Sequence, residues 1–512
     1  MLDRALLQAL TPLKVGSYTY NNPTERKQDP MIPQPPRAAL ALASLCLASS
    51  ASAVTLEELE AKLNSLAAEN AQLRARVEQL EGSTAHTPKL PAKPVAATPS
   101  AGTPLLALDP AYSYAALDPT RQITRKQEDI LQRKARGELG INQVYLSSAV
   151  TAIANAQHSN TESKFGYMMR HPTASNQRTK DVSEAAIHSA QLAMTANLGE
   201  WITAYAEMLY DPQQSFGPGT NTDLNRNQVQ VRHAYIMLGN LNASPWYASL
   251  GKMRVPFGLT DTPNPFTAST VWHAYGGLAN GVKLGYLDDG LNIRLMGIQG
   301  GSQFRAANVP VDDSNIPSKL NNYSLDLNYT LPTGGTSSLL LGASYLKGSA
   351  YCQGYPVTHF SACEEENGAW DAYAQWHYGP WMVQAEYAIT EDEWPGTYNP
   401  ALPQYKAAKV ESWGLGTRYS TRIAGYDTDL SAEFSRFVSG PDGSPWEKQD
   451  QWVLGVASYP TPSTKFFAEL IRAEGYVPLN FISGGNFEDP AQTHSDADAH
   501  STIFMLGGNV TF

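Results

Sequence analysis

Much of the chain after residue 140 alternates between apolar and polar positions with a period of two. In residues 323–331, Tyr and Leu occupy every second position from Tyr323 to Leu331, and Ser, Asp, Asn and Thr fill the positions between them. Residues 370–378 repeat the pattern, with aromatic side chains at both ends of the apolar face. Because successive side chains of a strand point to opposite faces, this alternation predicts strands with one apolar and one polar face.

About sixteen segments of this kind follow one another, and short connections alternate with long ones. The predicted strands are 141–154, 187–198, 201–210, 228–239, 246–257, 280–287, 290–299, 322–331, 338–347, 369–378, 381–390, 410–420, 429–437, 450–459, 465–473 and 502–512. A transmembrane barrel has short turns at one end, longer loops at the other and aromatic belts at both interfaces. We therefore predict an all-β transmembrane barrel of about 16 antiparallel strands over residues 140–512.

The last strand, Ser501–Phe512, reads STIFMLGGNVTF and ends on an aromatic residue. Counting back in twos from Phe512 gives an apolar face, and the other face is mostly small or polar. A terminal Phe on an amphipathic strand resembles the C-terminal signature of bacterial outer-membrane β-barrels. In that family the last strand is recognised by the insertion machinery and closes the barrel.

Residues 54–81 have a different period, with apolar residues every seven positions in two interleaved series. The predicted oligomerisation positions are Leu56, Leu59, Leu63, Leu66, Asn70, Leu73, Val77 and Leu80. Such a heptad pattern predicts an α-helical coiled coil, and one buried Asn at an a position typically fixes register and strand number. The pattern leaves dimer and trimer open.

Two further segments precede the predicted barrel. Residues 31–53 contain Arg37, an apolar run and the sequence Ala51-Ser52-Ala53, which together are typical of a signal peptide. We therefore expect residues 1–30 to be an overlong start, so that residues 1–53 lie outside the mature protein. Residues 82–139 begin with a Pro-, Ala- and Thr-rich tether and end with a short polar helix at 120–136.

Composition and charge agree with an exported protein. Residues 1–53 contain five of the 37 Lys and Arg residues and three of the 48 Asp and Glu residues. The remainder therefore carries 32 basic and 45 acidic groups and a formal charge of −13. An acidic chain of this kind does not favour nucleic acid as a partner. The 26 Tyr and 10 Trp residues suit a membrane barrel.

The number and spacing of the cysteines also agree with an exported protein. Cys46 lies in the predicted signal peptide, which leaves Cys352 and Cys363 in the fifth long connection. A close pair in an exported protein predicts a disulfide. A metal site would need two further ligands, and a redox pair would normally have the C-x-x-C spacing.

Catalytic signatures are missing from the sequence. It contains no P-loop, no G-x-S-x-G and no H-E-x-x-H motif. We therefore expect a protein that is not an enzyme and that needs no cofactor or metal.

Charged residues on the predicted inner faces separate into two groups. The basic group lies on predicted strands four to seven, and the acidic group lies on strands eight to fifteen. The predicted pore-lining residues are Arg232, Lys252, Arg254, Lys283, Arg294, Asp326, Asp371, Glu386, Glu433 and Glu469. One interpretation is a transverse field across a water-filled pore that orients polar solutes. The alternative is that charges simply occupy a wet lumen.

The third long connection, residues 258–279, follows the sequence KMRVPFG. It resembles the inward-folded constriction loop of porins, which would place Asp261, Trp272 and His273 at the narrowest point. An external loop is the alternative.

Taken together, the predicted signal peptide, heptads, Pro-rich tether, strands and Phe512 resemble porins with a periplasmic coiled coil. Sucrose porins share this plan, and the length and the KMRVPFG segment are most similar to the LbtU-type siderophore porins. The resemblance implies an outer-membrane homotrimer in contact with lipid and lipopolysaccharide. It also implies passive diffusion of a small solute such as a ferric siderophore. A carbohydrate-selective porin and a structural tether with the barrel as anchor are the alternatives. TonB-linked receptors need a larger plug than residues 82–139 can form.

Overall fold

The computed structural model describes residues 105–162, 179–210, 229–299, 320–351, 365–477 and 495–512. The predicted signal peptide, the coiled coil at 54–81 with its oligomerisation residues, and the cysteine pair Cys352 and Cys363 lie outside these residues. Those predictions therefore remain predictions.

A short strand, β1 (Leu106–Leu108), precedes sixteen antiparallel strands that form the main body of the described structure. They are β2 (Val144–Ser159), β3 (Asp181–Leu198), β4 (Ile202–Tyr210), β5 (Val229–Gly239), β6 (Trp246–Arg254), β7 (Leu278–Asp288), β8 (Leu291–Gln299), β9 (Leu320–Gly334), β10 (Ser337–Leu346), β11 (Ala369–Tyr378), β12 (Trp381–Thr390), β13 (Glu411–Ile423), β14 (Tyr426–Val438), β15 (Lys448–Thr461), β16 (Thr464–Tyr476) and β17 (Asp496–Thr511). Each of the sixteen predicted strands overlaps one of these.

The strands close into a barrel. Each strand pairs with its neighbours in sequence, and β17 pairs antiparallel with β2, with Ser501 opposite Ser159 and Thr511 opposite Ala149. Closure satisfies the backbone hydrogen bonds that an edge strand would leave open. The predicted fold class, a closed barrel of about 16 strands, is confirmed.

The outer face of the barrel is apolar. Leu325 and Leu327 on β9 remain 42% and 49% exposed, and Phe504 and Leu506 on the last strand are similarly exposed. Aromatic residues cluster at both ends of this face. At the end with short turns, Trp381 and Tyr419 lie 4.6 Å apart, and at the long-loop end Phe434 and Trp452 lie 4.3 Å apart. We call these the short-turn end and the long-loop end of the barrel.

An N-terminal segment, residues 105–139, runs from the wall of the barrel into its interior, and we call it the luminal segment. It contains β1 (Leu106–Leu108), which pairs parallel with the start of β2, and the helices α1 (Pro110–Leu117) and α2 (Lys126–Ala135). Asp109 caps α1, because its carboxylate accepts a hydrogen bond from the backbone of Tyr112 at 2.9 Å. None of the helices in the described ranges is long and apolar enough to cross a membrane.

A second stretch of chain enters the barrel between β6 and β7. We call residues 255–277 the inward loop, and every residue in it is buried. It contains the short helix α3 (Thr270–Tyr275), whose N-cap is Ser269. The only other helical turn in the described ranges is the 3-10 helix Pro395–Thr397 in a long-loop connection.

Candidate functional site: the interior of the barrel

The inward loop follows the inner wall from β9 towards β16. At its start, the Ser324 hydroxyl on β9 donates to the Pro256 carbonyl oxygen at 2.5 Å. Two residues later, the Gly258 amide donates to the Ser344 hydroxyl on β10 at 3.0 Å. The loop thus replaces the contacts with water that inward-facing polar residues would otherwise make.

Glu386 on β12 provides the next attachment point. Its carboxylate accepts a hydrogen bond from the Thr260 amide at 3.0 Å. Gly258 packs tightly here, since a Cβ at this position would lie 2.3 Å from Glu386 Oε1 and 3.1 Å from Asp371 Oδ2. Gly258 also has φ +70°, a conformation that favours glycine. The two carboxyl groups therefore leave room only for a residue without a side chain.

Two further carboxylates hold the middle of the loop. Glu433 on β14 accepts hydrogen bonds from the Thr262 hydroxyl at 3.0 Å and the Asn264 amide group at 3.1 Å. Glu469 on β16 accepts the backbone N–H of Phe266 at 2.8 Å. These acidic residues face the interior, as the sequence predicts, but they bind the loop and have little contact with water.

The three residues predicted to lie at a constriction are all inside the barrel. Asp261, Trp272 and His273 are buried in the inward loop, and the rings of Trp272 and His273 lie 5.0 Å apart. Arg254, the last residue of β6, places its guanidinium 5.5 Å from the centre of the Trp272 ring. Of the two alternatives that the sequence leaves open, the inward position of this connection is the one observed.

A fully buried ion pair joins β8 and β9. Arg294 donates to Asp326 through Nε at 3.0 Å and Nη2 at 2.7 Å, and both side chains have no exposed surface. Its Nη1 donates to the Thr124 carbonyl oxygen of the luminal segment at 2.6 Å. Lys283 on β7 is buried in the same region. The pair thus links the barrel wall to the chain inside it.

Glu207 on β4 is the centre of a second charged cluster. Lys126 of the luminal segment lies 2.8 Å from its carboxylate, Arg232 lies 3.2 Å away and His233 lies 2.9 Å away. Tyr205 donates its hydroxyl to the same carboxylate at 2.8 Å. Burial lowers the pKa of the Lys126 ammonium, and the negative charge of Glu207 opposes that shift.

Lys252 does not face the interior, and the prediction for this residue is wrong. Its position on β6 shares a face with Leu250, which is 61% exposed on the outside of the barrel. The Lys252 ammonium donates to the Val231 carbonyl oxygen at 2.6 Å. The sequence misleads because Met253 is apolar yet points inward, where it accepts a hydrogen bond from Gln127 at 3.3 Å.

The other nine predicted lining residues face the interior, where they form local pairs and attachments. They are Arg232, Arg254, Lys283, Arg294, Asp326, Asp371, Glu386, Glu433 and Glu469. Arg294 lies against Asp326 and Arg232 against Glu207, so these four charges are neutralised between neighbouring strands. They do not face each other across open water. Within the described ranges, no group of three His, Cys, Asp or Glu residues is placed to hold a metal.

The luminal segment is the functional element that the sequence analysis missed, because it assigned residues 82–139 to a tether and a short helix before the barrel. A signal was present in residues 110–117, PAYSYAAL, which is rich in apolar and aromatic residues and differs from the preceding Pro-rich tether. Tyr112 is buried and its hydroxyl lies 2.6 Å from the Thr195 hydroxyl on the inner wall.

Comparison with known proteins gives distant similarities. No protein-family model matches the chain. A curated relative described as "UPF0422 protein", from Coxiella burnetii, is 30% identical over 165 residues. The match spans 31% of this chain and only 31% of that relative.

Among solved structures, the anion-selective porin from Comamonas acidovorans has a TM-score of 0.45 at 12% identity and covers 72% of this chain and 99% of its own. OprB of Pseudomonas putida has a TM-score of 0.45 at 11% identity and covers 77% of this chain and 99% of its own. The outer membrane channel DcaP of Acinetobacter baumannii has a TM-score of 0.42 at 14% identity, over 72% of this chain and 97% of its own. The closed ring of strand pairs, and not these similarities, defines the fold of the chain.

Proposed function

We propose that the protein is an outer-membrane channel through which small polar solutes diffuse passively, without a cofactor or an energy input in the barrel. The observation that carries the proposal is a closed barrel with an apolar outer face, aromatic belts at both ends and an inward loop attached to its polar inner wall. An apolar outer face suits lipid, and an internal loop narrows a lumen so that it selects solutes by size and charge.

A size series of neutral sugars tests this proposal. Proteoliposomes that contain the full-length protein are placed in iso-osmotic solutions of sugars, and swelling is measured by light scattering. We expect slow swelling with the smallest sugars and none with larger ones, because the inward loop and the luminal segment leave little free space. Protein-free liposomes provide the control. Failure to swell with any sugar would contradict a diffusion channel for such solutes.

The filled interior also favours a second candidate, a structural anchor. Both the inward loop and the luminal segment occupy the lumen, and residues 54–81 would then connect the barrel to the periplasm as a tether. This candidate predicts no solute passage and no ion current. The swelling assay and conductance measurements therefore separate the two candidates.

The solute is a separate proposal. Resemblance to LbtU-type siderophore porins supports a ferric siderophore, and resemblance to sucrose porins supports a carbohydrate. Uptake of labelled ferric siderophore and of labelled sucrose by a deletion strain, with and without the gene restored, decides between them. We also propose that the coiled coil at 54–81 joins three protomers below the membrane, which sedimentation of the full-length protein in detergent would test.

The outward position of Lys252 gives a further expected result. Lys252→Gln should leave the reversal potential in a salt gradient unchanged, because this side chain lies on the outer face of β6. A shift towards cation selectivity would show that the side chain reaches the conducting path. Arg422→Gln at the exposed short-turn end provides a control for the loss of one positive charge.

A further inference from the structure

The two helices of the luminal segment are attached to one side of the barrel by apolar contacts. Residues of both helices belong to a large buried apolar cluster that includes the inner faces of β2 to β6 and continues into the inward loop and beyond it. Its members include Tyr112, Ala116, Leu117, Ile130, Leu131, Tyr145, Ala193, Tyr205, Tyr235 and Met237. Burial of this many large side chains stabilises the attachment, because their apolar surface is removed from water. The helices are therefore fixed to that wall.

Between the helices, residues 118–125 cross the lumen to the opposite side, and we call them the luminal bar. The bar reaches the far wall through polar contacts: Arg121 Nη2 lies 2.7 Å from Asp429 on β14 and 3.1 Å from the Tyr459 hydroxyl on β15. Asp118 lies 3.9 Å from the Lys465 ammonium on β16. The Arg121 side chain is 38% exposed, so water competes for these contacts.

The bar is also attached to the inward loop. The Ile123 amide and the Arg125 guanidinium donate to the Asp261 carboxylate at 2.9 and 2.8 Å. The Thr262 amide donates to the Thr120 carbonyl oxygen at 3.0 Å. Two separate pieces of chain thus meet in the lumen and hold each other in place.

Backbone strain is present on both sides of this junction. Gln122 in the bar has φ +54°, and Thr260 in the inward loop has φ +53°. Residues other than glycine rarely adopt this left-handed conformation, which persists only where the surrounding structure holds it. The junction is therefore held in a conformation that its own backbone disfavours.

Water reaches the interior on the side where the bar meets the far wall. Gln375, His377, Asp429 and Tyr459 face inward near the short-turn end of β11, β14 and β15, and all four retain partial exposure. The inner faces of β2 and β6 have little exposure by comparison, because the helices cover them. A path through the barrel would therefore open beside the bar.

We propose that the luminal bar is a gate, which closes the channel in the observed conformation and opens it by releasing the far wall and the inward loop. The inference rests on the proposed channel function. The helices α1 and α2 stay attached to β2–β6 during the movement, because their apolar contacts are extensive. The contacts that break are those of Asp118 and Arg121 with the far wall, those of Thr120, Ile123 and Arg125 with the inward loop, and the hydrogen bond from Arg294 to Thr124. Relief of the strain at Gln122 and Thr260 favours their release.

Removal of the far-wall contact tests the gate in the full-length protein. The Asp429→Asn and Arg121→Gln variants are each reconstituted in planar bilayers. The open gate should give a larger conductance than the closed one, and the fraction of time that the channel spends in this larger conductance state is recorded. Loss of a hydrogen bond to a charged group should change the equilibrium constant between the closed and the open gate about tenfold. We therefore expect this fraction to rise about tenfold in each variant. Asp427→Asn is the matched control, since Asp427 lies on the same strand and pairs only with the exposed Arg422 among the contacts described here. Wild-type behaviour of both Asp429→Asn and Arg121→Gln would overturn the gate.

A reversible cross-link provides a second test that does not depend on weakening the fold. In Thr120→Cys/Thr262→Cys, an oxidised disulfide should hold the bar to the inward loop and abolish the larger conductance state, and a reductant should restore it. Wild-type protein treated with the same reductant is the control for Cys352 and Cys363. Unchanged openings after oxidation, with the cross-link verified by mass spectrometry, would overturn the gate and leave the channel function intact. Lack of current in the wild type and in every variant would instead overturn the channel function itself.

Discussion

Asp326→Ala is expected to lower the free energy of unfolding by about 3–5 kcal/mol, because it leaves the fully buried Arg294 guanidinium without its counter-charge. The Asp326 carboxylate also accepts hydrogen bonds from Ser344 at 2.7 Å, Tyr373 at 2.9 Å and Asn328 at 2.8 Å. All of these donors are buried, so none gains access to water when the carboxylate is lost. Urea-induced unfolding in detergent micelles, followed by circular dichroism, measures the effect.

The control for this prediction is Asp427→Ala, which removes an exposed ion pair with Arg422. Exposed pairs contribute little to stability because water screens both charges, so this variant should unfold close to the wild type. The double variant Arg294→Met/Asp326→Ala should recover part of the loss, since no uncompensated charge remains. If Asp326→Ala and Asp427→Ala are equally stable, the buried pair does not support the barrel.

The second large effect is expected from the carboxylates that hold the inward loop. In Glu433→Gln/Glu469→Gln, an NH₂ group replaces one of the two oxygens of each carboxyl group. That group cannot accept the hydrogen bonds that Thr262, Asn264 and Phe266 donate over 2.8–3.1 Å. A buried donor that loses its acceptor costs about 1–3 kcal/mol, so the loop should detach for a larger fraction of the time.

The size of the largest sugar that passes through the channel measures this detachment of the inward loop. We expect proteoliposomes with the double variant to swell in sugars that the wild type excludes. Glu474→Gln, an exposed position on the same strand as Glu469, should behave as the wild type does. An unchanged size limit in the double variant would show that the inward loop does not define the narrowest point.

The barrel could be predicted from the sequence because one rule governs every strand. Side chains alternate between lipid-facing and inward positions, so a strand such as 323–331 reveals its two faces without any knowledge of its neighbours. Closure was implied by the resemblance of the last strand to the C-terminal signature of outer-membrane barrels. Strand ends were less well defined, since several strands extend beyond the predicted bounds where the pattern weakens.

The interior could not be predicted to the same extent, because some apolar residues face inward. An apolar side chain therefore does not always identify the outer face of a strand. Met253 and Phe257 are apolar and face chain segments inside the barrel, so parity placed Lys252 on the wrong side. The partners of the luminal charges are also distant in sequence: Arg121 pairs with Asp429 and Lys126 with Glu207. Alternation within one strand carries no information about such pairs.

Single-channel conductance of the full-length protein in planar bilayers tests the central claim most directly. We predict discrete current steps for the wild type that are small for a 16-stranded barrel, and larger steps for Glu433→Gln/Glu469→Gln, with Glu474→Gln matching the wild type. These results would show that ions pass through the barrel and that the inward loop restricts them. No current from any of the three proteins, despite verified insertion into the bilayer, would contradict the channel and leave the barrel as an anchor.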